Sequence, residues 1–280
     1  MYTLHNTDCL SHMLSMPENS VDAIITDLPY GTTACAWDTI IPFEPMWEAV
    51  KHVLKPDGAF VTTASQPFTS LLVCSNLEGF RCEWIWFKNR GSGHLNAKLM
   101  PLKQHENIIV FGAKSTYNPI FEEYSASFKK RFKRGDVINR SRYEHKADVY
   151  GSFKANDTTA LNPNGRCPSS VQFFKTVAIQ NGDRMHPTQK PVALYKYLVQ
   201  TYTNPGDTVL DMCMGSGTTI VACIETGRDA IGCETDKEHF QTAEKRSYEA
   251  SLQGQLFAPP SSANNGLQPD QTRAEQISML

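Results

Sequence analysis

Residues 208–234 constrain the fold more than any other stretch. Thr208-Val209-Leu210-Asp211 is a short β-branched and apolar run that reads as a strand. Met212-Cys213-Met214-Gly215-Ser216-Gly217-Thr218-Thr219 follows as a glycine-rich loop, and residues 220–226 read as a helix. The next strand, 228–233, ends at an acid, Glu234. Strand, glycine turn, helix and second strand make one βαβ unit. Its crossover demands parallel pairing, so the chain belongs among the α/β folds.

The rest of the chain agrees with that class. Val21-Asp22-Ala23-Ile24-Ile25-Thr26 reads as a buried strand that stops at Asp27-Leu28-Pro29-Tyr30. Residues 43–54 form an amphipathic helix with Phe43, Met46, Trp47, Val50 and Leu54 on one face. Lys55-Pro56-Asp57-Gly58 is a turn, and 59–64 a strand. A helix is expected over 67–76, and strands over 82–87 and 107–111, so strands alternate with helices in parallel βα units. Near the start, Leu10, Met13, Leu14 and Met16 have helical spacing, with Thr7 or Asp8 as the cap. Pro191 stands at the first turn of a helix over 192–202. A last helix covers 237–251, and the polar stretch 252–280 is expected to be a disordered tail.

Between 114 and 183 the alternation dissolves. Lys129, Lys130, Arg131, Lys133, Arg134, Arg140, Arg142 and Lys146 cluster there, interleaved with Phe128, Phe132 and Tyr143. A charge run is often no more than a solvated loop. A long irregular insert in a regular α/β chain favours function, and basic plus aromatic residues suit phosphate contact and base stacking. The net charge of the 280 residues, -2, neither requires nor excludes such a partner, because charge can be local. The eight cysteines include no C-x-x-C pair. They read as reduced, mostly buried thiols of a cytoplasmic protein, with no disulfide framework and no metal site. No apolar run resembles a signal peptide or is long enough to span a membrane.

The glycine loop and its flanking acids define a ligand. The glycines admit close backbone approach, the helix start offers free N–H groups, and Glu234 suits two ribose hydroxyls. No Lys follows the second Gly, so this is not a triphosphate loop, and the third Gly of a dinucleotide fingerprint is missing. Asp211 would repel a pyrophosphate but suits an ammonium. A nucleoside joined to an amino acid, S-adenosylmethionine, meets both demands.

Asp27-Leu28-Pro29-Tyr30 fits a complementary chemistry. The exocyclic amine of a nucleobase is a poor nucleophile, because its lone pair is delocalised into the ring. Acceptors aimed at its hydrogens free that lone pair. Asp27 supplies one, and the carbonyl of Leu28 or Pro29 another. Tyr30 can stack on a base that has left the duplex. Alone, these four residues could equally be a capping Asp and a packing Tyr.

Together and in this order, the segments resemble the amino-methylating DNA methyltransferases whose catalytic motif precedes the cofactor motif, the beta group. Asp27-Leu28-Pro29-Tyr30 is similar to the family's D-P-P-Y, and residues 211–219 to its D-P-F-x-G-S-G-T-T. Glu234 is similar to its ribose-binding acid, His186-Pro187-Thr188-Gln189-Lys190-Pro191 to the segment before its cofactor-side helix, and His105-Glu106-Asn107 to its sheet-edge motif. Leu28 and Met212 stand where the family usually has Pro, at positions acting through backbone.

The resemblance implies a doubly wound, mostly parallel sheet of the S-adenosylmethionine-dependent methyltransferase type. Its catalytic half is 1–113, its recognition insert 114–183 and its cofactor half 184–251. It implies S-adenosylmethionine as cofactor, held by Asp8, Asp27, Lys190, Asp211, Gly215, Ser216, Gly217, Thr218 and Glu234. It implies duplex DNA as substrate, adenine N6 as target with cytosine N4 methylation or a catalytically inactive DNA-binding relative as the alternatives, no metal, and leaves a homodimer open.

Overall fold

Val21–Asp27 (β2) is apolar on both faces, with Val21, Ala23, Ile24, Ile25 and Thr26 all buried. A strand of this kind needs cover on both sides, and the helices supply it. The computed structural model describes residues 1–33, 35, 37–112, 114–127, 130, 164–177 and 189–257. In chain order the elements are β1 (Tyr2–His5), α1 (Cys9–Ser15), β2, α2 (Phe43–Val53), β3 (Leu54–Ala64), α3 (Phe68–Ser75), β4 (Phe80–Ser92), β5 (Lys103–Phe111) and β6 (Val171–Phe174). Then come α4 (Val192–Tyr202), β7 (Thr208–Asp211), α5 (Thr218–Thr226), β8 (Asp229–Cys233) and α6 (Lys237–Phe257).

The strands form one sheet in the order β1-β8-β7-β2-β3-β5-β4-β6. Every described pairing is parallel except those of β5 with β3 and with β4. The doubly wound, mostly parallel expectation holds. Alternate residues of β2 face opposite cores. Ala23 and Ile25 pack with Leu194 and Val199 of α4, Ile220 of α5 and Ala243 of α6. Ile24 packs with Met13 of α1, Met46 and Val50 of α2, and Phe68 of α3. Full burial of one such side chain stabilises by about 1.5–3 kcal/mol relative to exposure.

Four sequence expectations need correction. Tyr2–His5 is a strand, paired with β8, where only a helix was expected in the first twenty residues. The expected turn at 55–58 lies inside β3: the ladder jumps from Val21↔Leu54 to Ala23↔Ala59, so the four turn-forming residues bulge out of it. β4 and β5 extend beyond the expected 82–87 and 107–111 and join directly as an antiparallel hairpin, not through a helical crossover. The 114–183 insert is not all irregular, because its residues 171–174 form edge strand β6 alongside β4.

The last helix continues to Phe257, past the expected 251, and the tail expected from 252 otherwise lies outside the described residues. All eight cysteines are free, but only Cys9, Cys223 and Cys233 are buried; Cys35, Cys74 and Cys167 are exposed. No described helix is long and apolar enough to cross a membrane.

Candidate active site

The strand order reverses between β7 and β2. The chain leaves β7 through α5 to β8 on one side, and β2 through α2 to β3 on the other. Such a switch point opens a crevice at the carboxyl ends of the two strands. Asp27 ends β2 and Asp211 ends β7. The strands pair through Ala23↔Val209 and Ile24↔Leu210. Further along, the Thr26 hydroxyl donates to Asp211 Oδ1 at 2.7 Å, tying the two strand ends together.

Asp27 is held from three sides. The Tyr30 hydroxyl donates to its Oδ1 at 2.8 Å, and the Thr63 hydroxyl donates to the same oxygen from the neighbouring strand β3. The Lys190 ammonium donates to Oδ2 at 2.5 Å. A carboxylate has about four acceptor positions. Oδ1 has both filled, so one position remains, on Oδ2. Leu28 turns its side chain into the core at 4% exposure, which leaves only its backbone for the pocket. The Tyr30 ring stacks on Phe68 at a centroid distance of 5.4 Å, and Lys190 Nζ lies 5.5 Å from its centre. Burial, then the Asp27 carboxylate, pushes the Tyr30 phenol well above its ordinary value.

The Asp27–Lys190 pair continues into a line of alternating charge. Lys190 Nζ lies 3.6 Å from Glu106 Oε2, and Lys88 Nζ donates to Glu106 Oε1 at 3.1 Å. Burial alone would lower the Lys190 ammonium, but Asp27 and Glu106 outweigh it and hold the group above its ordinary value. Burial likewise works against the Glu106 carboxylate, yet Lys190 and Lys88 hold it below its ordinary value. Tyr195 adds a buried hydroxyl with no hydrogen-bond partner among the described residues. Burial, then Asp27 and Asp211, pushes its phenol well up. Beyond the motif, Asp38 collects the backbone N–H groups of Gly31, Thr32 and Thr33 at 2.7–2.9 Å and fixes the following loop.

The expected cofactor residues divide into two sets. Asp211 is 3% exposed and accepts from Thr26, from the Thr219 hydroxyl and from the Cys213 N–H at 3.1 Å. Burial pushes its carboxyl up to about 6. Glu234 accepts from Gly215 N–H at 2.9 Å and Asp236 N–H at 2.8 Å, one on each oxygen, with further acceptor positions left over. Gly215 has φ +51°, and a Cβ there would meet nothing within 4 Å, so the loop borders open space.

Ser216, Gly217 and Thr218 face inward. Ser216 and Thr218 are buried, and their hydroxyls engage Arg246 and the Lys190 carbonyl. A Cβ on Gly217 would lie 3.0 Å from Ala243 Cβ, so this glycine serves the approach of α6. Asp8 is exposed and caps α1, accepting from Ser11 N–H at 2.9 Å. Lys190 and Asp27, both expected with the cofactor, pair with each other.

Sequence reasoning missed Thr63, Lys88, Tyr195 and Asp38 as site residues. Thr63 and Tyr195 are hidden inside ordinary strand and helix patterns. Glu106 carried a signal in His105-Glu106-Asn107 but no assigned role. Of the basic cluster, Lys130 is described and exposed, while Lys129, Arg131, Lys133, Arg134, Arg140 and Arg142 lie outside the described residues, as do His186 to Thr188. Among the described residues no group of His, Cys, Asp and Glu is arranged to hold a metal ion.

Around the two strand ends the structure thus gathers Asp27, Glu106, Asp211 and Glu234 with Lys88 and Lys190, and the glycine loop beside them borders open space at Gly215. That acidic excess fits a positively charged ligand. A family profile described as DNA methylase matches residues 21–245. The type II methyltransferase M.HpaI of Haemophilus parainfluenzae is 30% identical, across 86% of this chain and 72% of that one. The DNA adenine methyltransferase YhdJ of Escherichia coli (strain K12) is 28% identical, across 87% and 82%. Among solved structures, M1.HpyAVI in its S-adenosylmethionine complex superposes with a TM-score of 0.57 at 26% identity, covering 88% of this chain and 100% of that one. With its profile match running from β2 into α6, the chain belongs to the N6/N4 family of DNA methylases.

Proposed function

We propose that this DNA methyltransferase acts on the N6 amine of adenine in duplex DNA, on a base swung out of the stack, with S-adenosylmethionine as the methyl source. One observation carries the reading: the 2.7 Å bond from Thr26 to Asp211, which joins the amine-binding motif and the glycine loop in one crevice. The adenine assignment is supported by the first motif residue being Asp, and by the similarity to an enzyme named as a DNA adenine methyltransferase.

The glycine loop fits the cofactor. Glu234 has acceptor positions left for the ribose hydroxyls, Asp211 has one left for the ammonium, and the space beside Gly215 admits the nucleoside. When bound, S-adenosylmethionine supplies a methyl group made electrophilic by its sulfonium. The chain's own work is positioning and electrostatics. The free position on Asp27 Oδ2 accepts one amine hydrogen, and the carbonyl of Leu28 or Pro29 accepts the other. Asp27 is then the nearest acceptor for the proton that the methylated amine releases. Tyr30 and Thr63 fix the carboxylate so that the free position points in one direction. Basic residues of the 114–183 insert hold phosphates.

The test is digestion of unmethylated DNA, after incubation with enzyme and cofactor, to nucleosides for mass spectrometry. N6-methyladenine is expected. N4-methylcytosine would overturn the base assignment while keeping the chemistry. An Asp27→Ala variant is expected to lose transfer by about 10²–10³-fold, as when a preorganised polar contact to the reacting group is removed. Its cofactor affinity, read by calorimetry, should change by less than about threefold, since Asp27 lies outside the glycine loop.

A further inference from the structure

The β4–β5 hairpin ends in an apolar tip that packs on nothing among the described residues. Leu95 is fully exposed, Leu99 is 83% exposed and Met100 57%. Leucine and methionine side chains in water are a cost unless something covers them. The tip is nevertheless ordered by its own backbone. Asn96 N–H donates to the Gly93 carbonyl at 3.0 Å, and the N–H groups of Leu99 and Met100 donate to the Asn96 carbonyl at 2.9 and 3.0 Å. The apolar side chains are therefore displayed on a built turn.

Its place in the fold is specific. β5 is antiparallel to both β3 and β4, so β4 runs in the direction of β3 and β2, and the hairpin turns at the edge where β2 presents Asp27. The stem is fixed to that edge. Lys103 donates to the Ser65 hydroxyl at 2.7 Å, just past the end of β3, and Lys88 and Glu106 extend the charge line from Asp27. Beyond that charge line the end of the hairpin is basic. From residue 88 to 105 there are Lys88, Arg90, Lys98 and Lys103 with His94 and His105, and no carboxylate. Arg90, His94 and Lys98 are exposed.

An exposed apolar tip flanked by cations, on the sheet edge that carries Asp27, matches the chemistry of a duplex whose stack is opened. Cations meet phosphates, and apolar side chains enter between base steps. We infer that the 93–102 turn is a wedge for duplex DNA, in which Leu95, Leu99 and Met100 enter the stack beside the target and hold open the space that the displaced base leaves. The inference rests on the DNA methyltransferase reading above.

The test uses the triple variant Leu95→Ser, Leu99→Ser, Met100→Ser, whose changes touch no buried contact. Two duplexes carry the sequence that the wild-type enzyme methylates. In one the target base is paired; in the other it faces an abasic site and needs no opening. The variant is expected to lose at least about tenfold in kcat/KM on the paired duplex and to match wild type on the abasic one, because unstacking is the step removed. 2-Aminopurine fluorescence at the target position should rise with wild type and stay low with the variant on the paired duplex. Equal rates for variant and wild type on the paired duplex would overturn the wedge. So would equal losses on both duplexes, and with a dimer-to-monomer change in sedimentation those losses would make the tip an interface between copies. If wild type methylates no duplex of any sequence, the DNA methyltransferase reading fails and the wedge falls with it.

Discussion

Asp27 is one carboxylate in a line of four charges, and its chemistry depends on the other three. Lys190 and Glu106 are buried with opposite charge, so removing one leaves the next without compensation. The signs of their titrations set a pH window. Glu106 is held below the ordinary carboxyl value, so its contribution is present above that value and lost as pH falls through the depressed one. Lys190 is held above the ordinary ammonium value, so its contribution is present below that value and lost as pH rises through the raised one. These two groups should therefore add no pH dependence to stability through neutrality. Glu106→Gln is expected to cost about 3–5 kcal/mol there and to remove part of the acid-side loss, measured by urea unfolding across pH.

Asp211 behaves in the opposite sense. Its carboxyl is pushed up to about 6 by burial. A cationic ligand lowers it again, so cofactor binding should release a proton below that value and none well above it. Calorimetry in buffers of different ionisation enthalpy would read this, and affinity should fall as pH drops through about 6. The sequence carried Asp27, Asp211 and Glu234 plainly, because each is the polar residue that ends an apolar strand. It hid Thr63, Tyr195 and the role of Lys190, because contacts across the sheet leave no local pattern.

Elements repeat that contrast. β2, β7, α5 and β8 were legible because buried parallel strands and capped helices have strong local signatures. β1 was not, being four residues with mixed burial that owe their strand to pairing with β8. Lys55-Pro56-Asp57-Gly58 gave a true turn signal, yet β3 absorbs it as a bulge since both flanks pair with β2. The loop after the catalytic motif is an element of its own, built on Asp38. That residue is 8% exposed; against burial, which raises its carboxyl, the Thr33 hydroxyl and then three backbone N–H groups hold it below the ordinary value. Asp38→Ala leaves those donors unpaired. It should cost about 1–3 kcal/mol and lower kcat without weakening cofactor binding, measured by thermal unfolding and steady-state kinetics.

At the scale of the whole molecule the balance of charge is nearly even, -2 over 280 residues, while the two strand ends are acidic and the 88–105 hairpin basic. DNA must therefore be met by local patches. Affinity should fall with salt in proportion to the phosphates contacted, about 0.9 logarithmic units per contact per decade. Lys98 is exposed on the hairpin tip, and Lys98→Ala should shallow that slope by about one contact, read by fluorescence anisotropy across a salt series.

The Thr26–Asp211 bond carries a last consequence. Thr26 is the residue before Asp27, and Asp211 is the acid proposed to meet the cofactor ammonium. One hydrogen bond therefore spans the two half-sites. A change in the charge felt by Asp211 should then change how firmly the β2 end is held, which binding measurements with and without the second ligand would read. Occupancy of one half-site is then linked to the affinity of the other, and linkage is reciprocal: if cofactor tightens the grip on the base, the base tightens the grip on cofactor by the same factor.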